Sequence, residues 1–280
     1  GVEVEVSYRQ FERDFKYEVA VNGTALKNEA TFLNPLYPRV SGVSVGTGWT
    51  ATAFELGYPL WFFRGYKTDG IFQTQEEINA YVAGNNISDY TPKPGDPIVV
   101  DVNKDGLISP NDHTFIGSPH PDFVYGARLN LSYKGFDFLV FAQGQTGNEI
   151  LMGFNRNDAA TTNRPALFYN ERWTGPGSTN TMFAPSTTNV YIYNSDQMVF
   201  DGSFMRIRQL QLGYSLPAEL LSNIRAKNVR FYISLDDYFT FTKYPGLDPE
   251  AGSTNQNSLG IDRGVYPVPR RMMVGMNFSF

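Results

Sequence analysis

The sequence predicts an all-β protein: an antiparallel, up-and-down transmembrane β-barrel segment of about seven strands with long extracellular loops. Three observations predict this class. Apolar and polar residues alternate over runs of about ten residues, the length of a tilted strand that crosses a bilayer. Short turns and long excursions alternate between these runs. No apolar run approaches the roughly 18 residues of a membrane-spanning helix.

The clearest alternation lies in residues 122–143. Two runs, separated by a tight turn at Lys134 and Gly135, place polar residues such as Arg128 and Asn130 between apolar ones. Because successive side chains of a strand point to opposite faces, this pattern predicts a hairpin with one apolar face. That face comprises Phe123, Tyr125, Ala127, Leu129, Leu131 and Tyr133, followed by Phe136, Phe138, Val140 and Ala142.

The same alternation recurs in other parts of the chain, at residues 2–9, 15–22, 204–216, 229–236 and 272–280. In the run that begins at Phe204, the apolar parity changes near Arg208 and Gln209. A change of parity inside a strand predicts a β-bulge, because one extra residue shifts all later side chains to the opposite face.

Two short helices are expected in the connections. Thr74 is a suitable N-cap residue and Glu77 stands three positions later, which is the spacing of a capping box. This helix should end near Gly84. Pro217 should open a second helical turn, since proline is favoured in the first turn of a helix.

The connections alternate in length along the chain. An outer-membrane barrel shows this asymmetry, with short turns on the periplasmic side and long loops outside. The chain is then expected to end on the periplasmic side, with the aromatic Phe280 as a barrel-assembly signal. A soluble β-sandwich is the alternative fold, because its charged side chains would also point outward.

Residues 24–121 form a long extracellular loop region that contains a calcium-type loop, residues 101–112. Gly106 occupies the position that needs a sharp turn, and oxygen-bearing side chains recur at calcium-loop spacing. An Asx-rich turn that binds no metal is the alternative. The predicted ligands of a structural calcium ion are Asp101, Asn103, Asp105, the carbonyl of Leu107, Ser109 and Asp112.

Composition excludes several function classes. The net charge is −5 and no basic run is present, which argues against a nucleic-acid partner. The chain contains no cysteine, so it has neither a disulfide framework nor thiol chemistry. Its two histidines, His113 and His120, have no convincing nucleophile beside them and are interpreted as surface residues. The chain is therefore predicted not to be an enzyme.

Aromatic residues of the long excursions are the candidates for substrate contact. Trp49, Tyr58, Trp61 and Trp173 offer flat apolar faces that could stack on sugar rings. Packing within the loops, or contact with a lid protein, is the alternative for each of them.

Several segments carry a family resemblance, and together they cover almost the whole chain, residues 1–280. They are DVNKDGLISPNDHTFIGSPHPDFVYGARLNLSYKGFDFLVFAQGQTGNEI, YPLWFFRGYKTDGIFQTQEEI, SFMRIRQLQLGYSLP, FTFTKYPGLDPE and YPVPRRMMVGMNFSF. These segments resemble the C-terminal barrel region of the SusC/RagA family of TonB-dependent outer-membrane transporters. The resemblance implies a barrel of about 22 strands around an N-terminal plug domain, of which this chain supplies one part.

The resemblance also implies a function and partners. Such transporters import oligosaccharides, or in some members peptides, through the outer membrane. The implied partners are a SusD-like lid lipoprotein, the TonB complex acting through an N-terminal part outside these residues, and outer-membrane lipid. Two alternatives are a secreted or surface calcium-stabilised β-rich carbohydrate-binding module, and a siderophore or vitamin receptor of the same barrel type.

Overall fold

The computed structural model describes residues 1–46, 49–87, 90–154, 163–186, 189–223, 226–250 and 255–280. The strands are β1 (Val2–Gln10), β2 (Lys16–Ala25), β3 (Arg39–Ser41), β4 (Thr52–Glu55), β5 (Phe62–Gly65), β6 (Thr68–Ile71), β7 (Asn86–Ile87), β8 (Pro97–Val99), β9 (Leu107–Ile108), β10 (Thr114–Gly117), β11 (Phe123–Tyr133), β12 (Phe136–Thr146), β13 (Glu149–Met152), β14 (Val199–Asp201), β15 (Phe204–Ser215), β16 (Asn228–Thr242), β17 (Ile261–Asp262) and β18 (Arg271–Ser279). The helices are α1 (Gln75–Gly84), α2 (Leu167–Asn170), α3 (Val190–Tyr193) and α4 (Ala218–Asn223).

One antiparallel sheet contains the strands that the sequence predicts, in the order β1-β2-β11-β12-β15-β16-β18. Each strand of this barrel sheet pairs with the next one along the chain, which confirms the up-and-down topology. Short connections therefore lie at one end of the sheet, and the excursions of residues 26–122, 147–203 and 243–270 lie at the other. β16 is longer than expected and continues to Thr242.

The β-bulge expected near Arg208 is present. Arg208 has no partner in the register of β15 with β12. On the other side, Asp237 and Tyr238 of β16 lie opposite the same position, and Asp237 adopts a left-handed φ of 54°. The extra residues keep Ile207 and Leu210 on the same face of the sheet, although their spacing in sequence is odd. The interrupted alternation also explains why the sequence underestimates the length of β16.

The register places the apolar side chains of all strands of the barrel sheet on one face. Antiparallel partners stand directly opposite each other, so each row across the sheet has one chemical character. One apolar row comprises Tyr8, Val19, Leu129, Val140, Leu210, Leu235 and Met272. The neighbouring row on the other face is mostly polar and comprises Arg9, Glu18, Asn130, Leu139, Gln211, Ser234 and Met273.

The apolar face of the barrel sheet is open. Leu129 and Phe138 are only partly buried, and Phe231 and Phe278 are 47% and 46% exposed. A soluble β-sandwich would bury such residues between two sheets. The open face therefore contradicts the sandwich alternative and fits a sheet whose apolar side chains meet lipid.

Aromatic side chains concentrate at both ends of this face. Near the short turns, Tyr133, Phe136, Tyr214 and Phe231 form one continuous cross-strand row. Near the long excursions, the same face carries Phe123, Tyr125, Phe239 and Phe241. Aromatic residues favour the two interfaces of a bilayer because their rings are apolar and their edges tolerate water. The two aromatic rows therefore mark a membrane-spanning band between them.

The main apolar core lies in the excursions rather than on the barrel sheet. Trp49 and Phe63 of the first excursion, Leu151 and Ile192 of the second, and Ile261 of the third are at most 1% exposed and belong to one cluster. Backbone pairing joins the same segments, since β13 pairs with β17. The three excursions thus pack as one unit, called here the outer domain (residues 26–122, 147–203 and 243–270).

Both expected helices are present. α1 begins after Thr74, whose hydroxyl accepts a hydrogen bond from the Glu77 amide, and ends at Gly84. The Glu77 carboxylate in turn accepts a hydrogen bond from the backbone amide of Gln73, one residue before the N-cap. α4 follows Pro217 as expected. Within the described residues, no helix combines the length and apolar character needed to span a lipid bilayer.

Adjacent positions on β15 provide a test of the two faces in the membrane-embedded protein. Leu210→Arg should lower the free energy of unfolding by about 2–4 kcal/mol, because it places a charge in the hydrocarbon region. Gln211→Arg, on the opposite face, should change it by no more than about 0.5 kcal/mol. Denaturant unfolding in phospholipid vesicles measures both, and equal effects of the two substitutions would contradict the assignment of the faces.

Candidate functional site

The polar face of the barrel sheet carries side chains that pair across strands. Asn130 Nδ2 donates to Glu18 Oε2 at 2.9 Å. Arg230 Nε donates to Asp137 Oδ2 at 2.8 Å, and the second guanidinium nitrogen binds the other carboxylate oxygen. Such paired charges suit the wall of a water-filled interior, where they remain hydrated without facing lipid.

The bulge brings two arginines of β15 into a charge network with the outer domain. Arg206 and Asp248 are both almost completely buried, and their ion pair is 2.6 Å long. Arg208 pairs with Asp237 at 2.8 Å. Glu250 pairs with both arginines, so the third excursion is fixed to the barrel wall at this point.

Sequence reasoning did not identify this network. The signal was present in the two basic residues of the run that begins at Phe204, of which Arg208 lies at the predicted bulge and Arg206 lies two residues before it. Their acidic partners come from a separate excursion, and no spacing rule links Arg206 with Asp248, which is 42 residues later.

The calcium-type loop is folded tightly around its own side chains. The two oxygens of Asp101 accept hydrogen bonds from the amides of Lys104 and Gly106 at 2.7 and 2.8 Å. Asp112 is fully buried and accepts from the amides of Val102 and Ser109. The expected sharp turn is present, since Gly106 has a φ of 77°.

The predicted ligand residues thus lie in one loop of the expected shape, with hard oxygen donors of the kind that calcium prefers. The Asp105 carboxylate accepts from the Leu107 amide, and the Ser109 hydroxyl accepts from the Asn111 amide. Among the described residues, no group of three or more His, Cys, Asp or Glu side chains is already positioned to hold a metal ion. Calcium binding would therefore require carboxylates such as Asp105 to turn from backbone amides toward the ion.

The two histidines have packing roles. His113 is half-buried, which contradicts its interpretation as a surface residue, and its ring packs edge-on against Tyr66. Burial, together with the positive charges of Arg64 and Arg39, lowers the pKa of His113 to about 4. His113 is therefore neutral at pH 7. A ring nitrogen of His120 lies 2.8 Å from the Leu60 carbonyl oxygen.

The four candidate aromatic residues differ in accessibility. Trp49 is 1% exposed and its indole N–H donates to the Arg64 carbonyl, so its ring belongs to the core of the outer domain. Tyr58 stacks on Phe62. Trp61 and Trp173 are partly buried, and Trp173 packs against the main core. Trp49 therefore has the alternative role, packing within the loops. Sugar contact by Tyr58, Trp61 and Trp173 stays a prediction.

Phe280 is exposed and contacts Phe278 at a ring centroid distance of 5.0 Å. Its role as a barrel-assembly signal stays a prediction.

The sequence did not indicate the cavities of the outer domain, among which are the following two. One, of about 470 Å³, is lined by residues that include Arg164 and Leu247. The other, of about 390 Å³, contains Glu149, Asp196 and Asp201.

No protein-family model matches the chain. The chain is 35% identical over 228 residues to TonB-dependent receptor P3 of Formosa agariphila, which corresponds to 78% of this chain and 22% of that protein. It is 26% identical over 276 residues to TonB-dependent receptor SusC of Bacteroides thetaiotaomicron, which corresponds to 96% of this chain and 25% of that protein. The chain thus spans about a quarter of the length of these curated relatives.

The fold is similar to solved structures of the RagAB peptide importer. The open-open state of that importer superposes with a TM-score of 0.69 at 21% identity, over 99% of this chain and 28% of the compared chain. The closed-closed state gives a TM-score of 0.68 at 21% identity, over 99% of this chain and 29% of the compared chain. At this identity the likeness concerns the fold alone.

The charge network yields a prediction for the full-length receptor. Arg206→Met should lower the free energy of unfolding by about 3–5 kcal/mol, because it leaves the buried Asp248 without a counter-charge. Limited proteolysis should also cut the third excursion faster. Arg271→Met is the matched control, since Arg271 is exposed and its contact with Asp237 is 3.6 Å long. The control substitution should lower the free energy of unfolding by at most about 1 kcal/mol. Equal losses of free energy in the two variants would contradict a stabilising role for the charge network.

Proposed function

The chain belongs, as a segment of the barrel, to the SusC/RagA family of TonB-dependent outer-membrane receptors, and on this premise we propose that it takes part in TonB-dependent import of oligosaccharides. Peptides are the alternative substrate class. TonB-dependent receptors are transporters, which agrees with the prediction that the chain is not an enzyme. The single observation that carries the proposal is the barrel sheet, with its apolar face open and its polar face paired.

The two faces of the sheet suggest how the chain contributes to import. The apolar face would lie against lipid, and the polar face would line the passage together with the rest of the barrel. In the proposed mechanism, TonB supplies the energy that displaces a plug formed by another part of the protein. Substrate then passes along the polar face.

The outer domain supports a role in substrate capture. It is held together by a buried core and fixed to the barrel wall by Arg206 and Arg208, so it offers a rigid external surface. A SusD-like lipoprotein is the proposed lid over this surface. Rigid scaffolds of this kind commonly position the loops that bind ligands.

Structural calcium is part of the proposal. The loop at residues 101–112 combines the donor set and the sharp turn of calcium loops, and β9 within it pairs with β7 directly after α1. Calcium would hold together a region whose buried Asp112 has no positively charged ion-pair partner among the described residues.

The import proposal is tested in cells that carry the full-length receptor. Deletion of the receptor gene should abolish uptake of a fluorescent oligosaccharide or of a fluorescent oligopeptide, and expression from a plasmid should restore it. A TonB deletion should have the same effect, and an affinity-tagged receptor should retain a lid lipoprotein during purification. Unchanged uptake of every oligosaccharide and oligopeptide after deletion would contradict the import function. Loss of peptide uptake alone would assign the alternative substrate class.

Calcium binding is tested by the stability of the purified full-length receptor. At a calcium concentration about 100 times the dissociation constant, the ion should add about 2.7 kcal/mol to the free energy of unfolding. Asp101→Asn should remove most of this gain, because it deletes a charged ligand at the first position of the loop. Asp69→Asn, an exposed carboxylate of the same excursion, should leave the gain intact. Thermal unfolding with calcium or with a chelator measures the difference, and a calcium-independent melting temperature would refute the site.

A further inference from the structure

The cavity of about 390 Å³ lies where the second excursion leaves β12. Gly147, Asn148 and Glu149 form one wall, directly after the end of β12 at Thr146. The adjacent strand β14 and Asp196 also line the cavity. The cavity therefore sits at the junction between the barrel sheet and the outer domain.

Asn148 is an unsatisfied acceptor at this cavity. Its side chain is 4% exposed, and its Oδ1 has no hydrogen-bond partner among the described residues. Packing against Gly202 fixes the amide from the other side, because the Asn148 Nδ2 occupies the space that a Cβ at residue 202 would need. A buried carbonyl oxygen without a donor is costly and rare in folded proteins. It therefore indicates a donor that a ligand would supply.

The charge of the cavity is uncompensated. Glu149 and Asp201 are direct cross-strand partners, an arrangement of like charges that destabilises a sheet. Neither these residues nor Asp196 forms an ion pair with any described residue. Lys67 and Lys243 are exposed and influence Asp196 and Asp201 only through longer-range attraction.

The protonation behaviour of Glu149 agrees with this picture. Burial raises the pKa of Glu149, and the negative charges of Asp122 and Asp201 raise it further, while a hydrogen bond from the Ser118 amide opposes the shift. Burial also raises the pKa of Asp196. Carboxyl groups in such surroundings gain from a cation that both pairs with them and fills the space beside them.

The shape of the cavity distinguishes between kinds of cation. A bare metal ion needs several converging ligands, and no group of three or more acidic or histidine side chains in the described ranges is placed to hold one. The volume is also many times the roughly 30 Å³ share of a single water molecule. Ile116, Val199 and Phe200 add apolar surface, which suits the carbon stem of an organic cation.

We propose that this cavity binds the ammonium or guanidinium group of a ligand, with Glu149 and Asp201 as counter-charges and Asn148 Oδ1 as an acceptor of one N–H. Asp196, which also lines the cavity, adds negative charge. Binding at this cavity does not depend on the proposed import function, because it requires only the folded outer domain.

The experiment is isothermal titration calorimetry on the full-length receptor in detergent. The probes are N-acetyl-arginine amide, N-acetyl-lysine amide, the uncharged N-acetyl-norleucine amide and calcium chloride. At least one of the two cationic amides should bind, and the norleucine amide should bind at least about tenfold more weakly, since it lacks the charge-assisted hydrogen bonds. The two cationic probes distinguish a guanidinium source from an ammonium source.

Three variants test whether the probes bind in this cavity. Glu149→Gln and Asp201→Asn should each weaken the cationic amides about tenfold. Both substitutions retain an oxygen for the existing hydrogen bonds from the amides of Ser118 and Ser203. Asp69→Asn should have no effect. Equal binding of the norleucine amide, calcium heat that disappears in the Glu149 and Asp201 variants, or unchanged affinity for the cationic amides in well-folded forms of these variants would each overturn the proposal. The uptake assay separately reports any failure of the import function.

Discussion

Backbone hydrogen bonding inside hydrocarbon is the constraint on which this structure depends. Lipid offers no partner to an unpaired N–H or C=O, so strands that cross a bilayer must pair with neighbours along their whole length. The ladders between consecutive strands meet this need except at the bulge beside Arg208, and they fix the register at the same time. Once the register is fixed, the period of two assigns each side chain to lipid or to the barrel interior.

The bulge at Arg208 is where this regular ladder is adapted to the outer domain. A sheet without a bulge would keep one parity throughout β15 and would turn the apolar residues of one half of the strand toward the polar side. The extra residues preserve the apolar face and also direct Arg208 and Asp237 into one ion pair. The same short segment thus keeps the lipid-facing surface continuous and fixes the third excursion through Glu250.

The outer domain is stabilised in a different way from the barrel sheet. Its stability derives from a buried apolar cluster, to which all three excursions contribute. Long loops ordinarily lose much conformational entropy when they become ordered, and this shared core offsets that loss. Glu149, Asp196 and Asp201 lie outside this apolar cluster and line a cavity at the boundary with the barrel sheet.

The sequence alone determined the seven strands of the barrel sheet, their order, the bulge, α1 and the turn at Gly106, because each depends on residues close together in the chain. It also distinguished the two faces of the sheet, since parity is a local property. Only the tertiary structure decided that Trp49 lies in a core, that His113 is half-buried, that Arg206 meets Asp248, and that Asn148 lines a cavity. These features depend on contacts between separate excursions, and loop segments without periodicity carry no local signal of which partner they will meet.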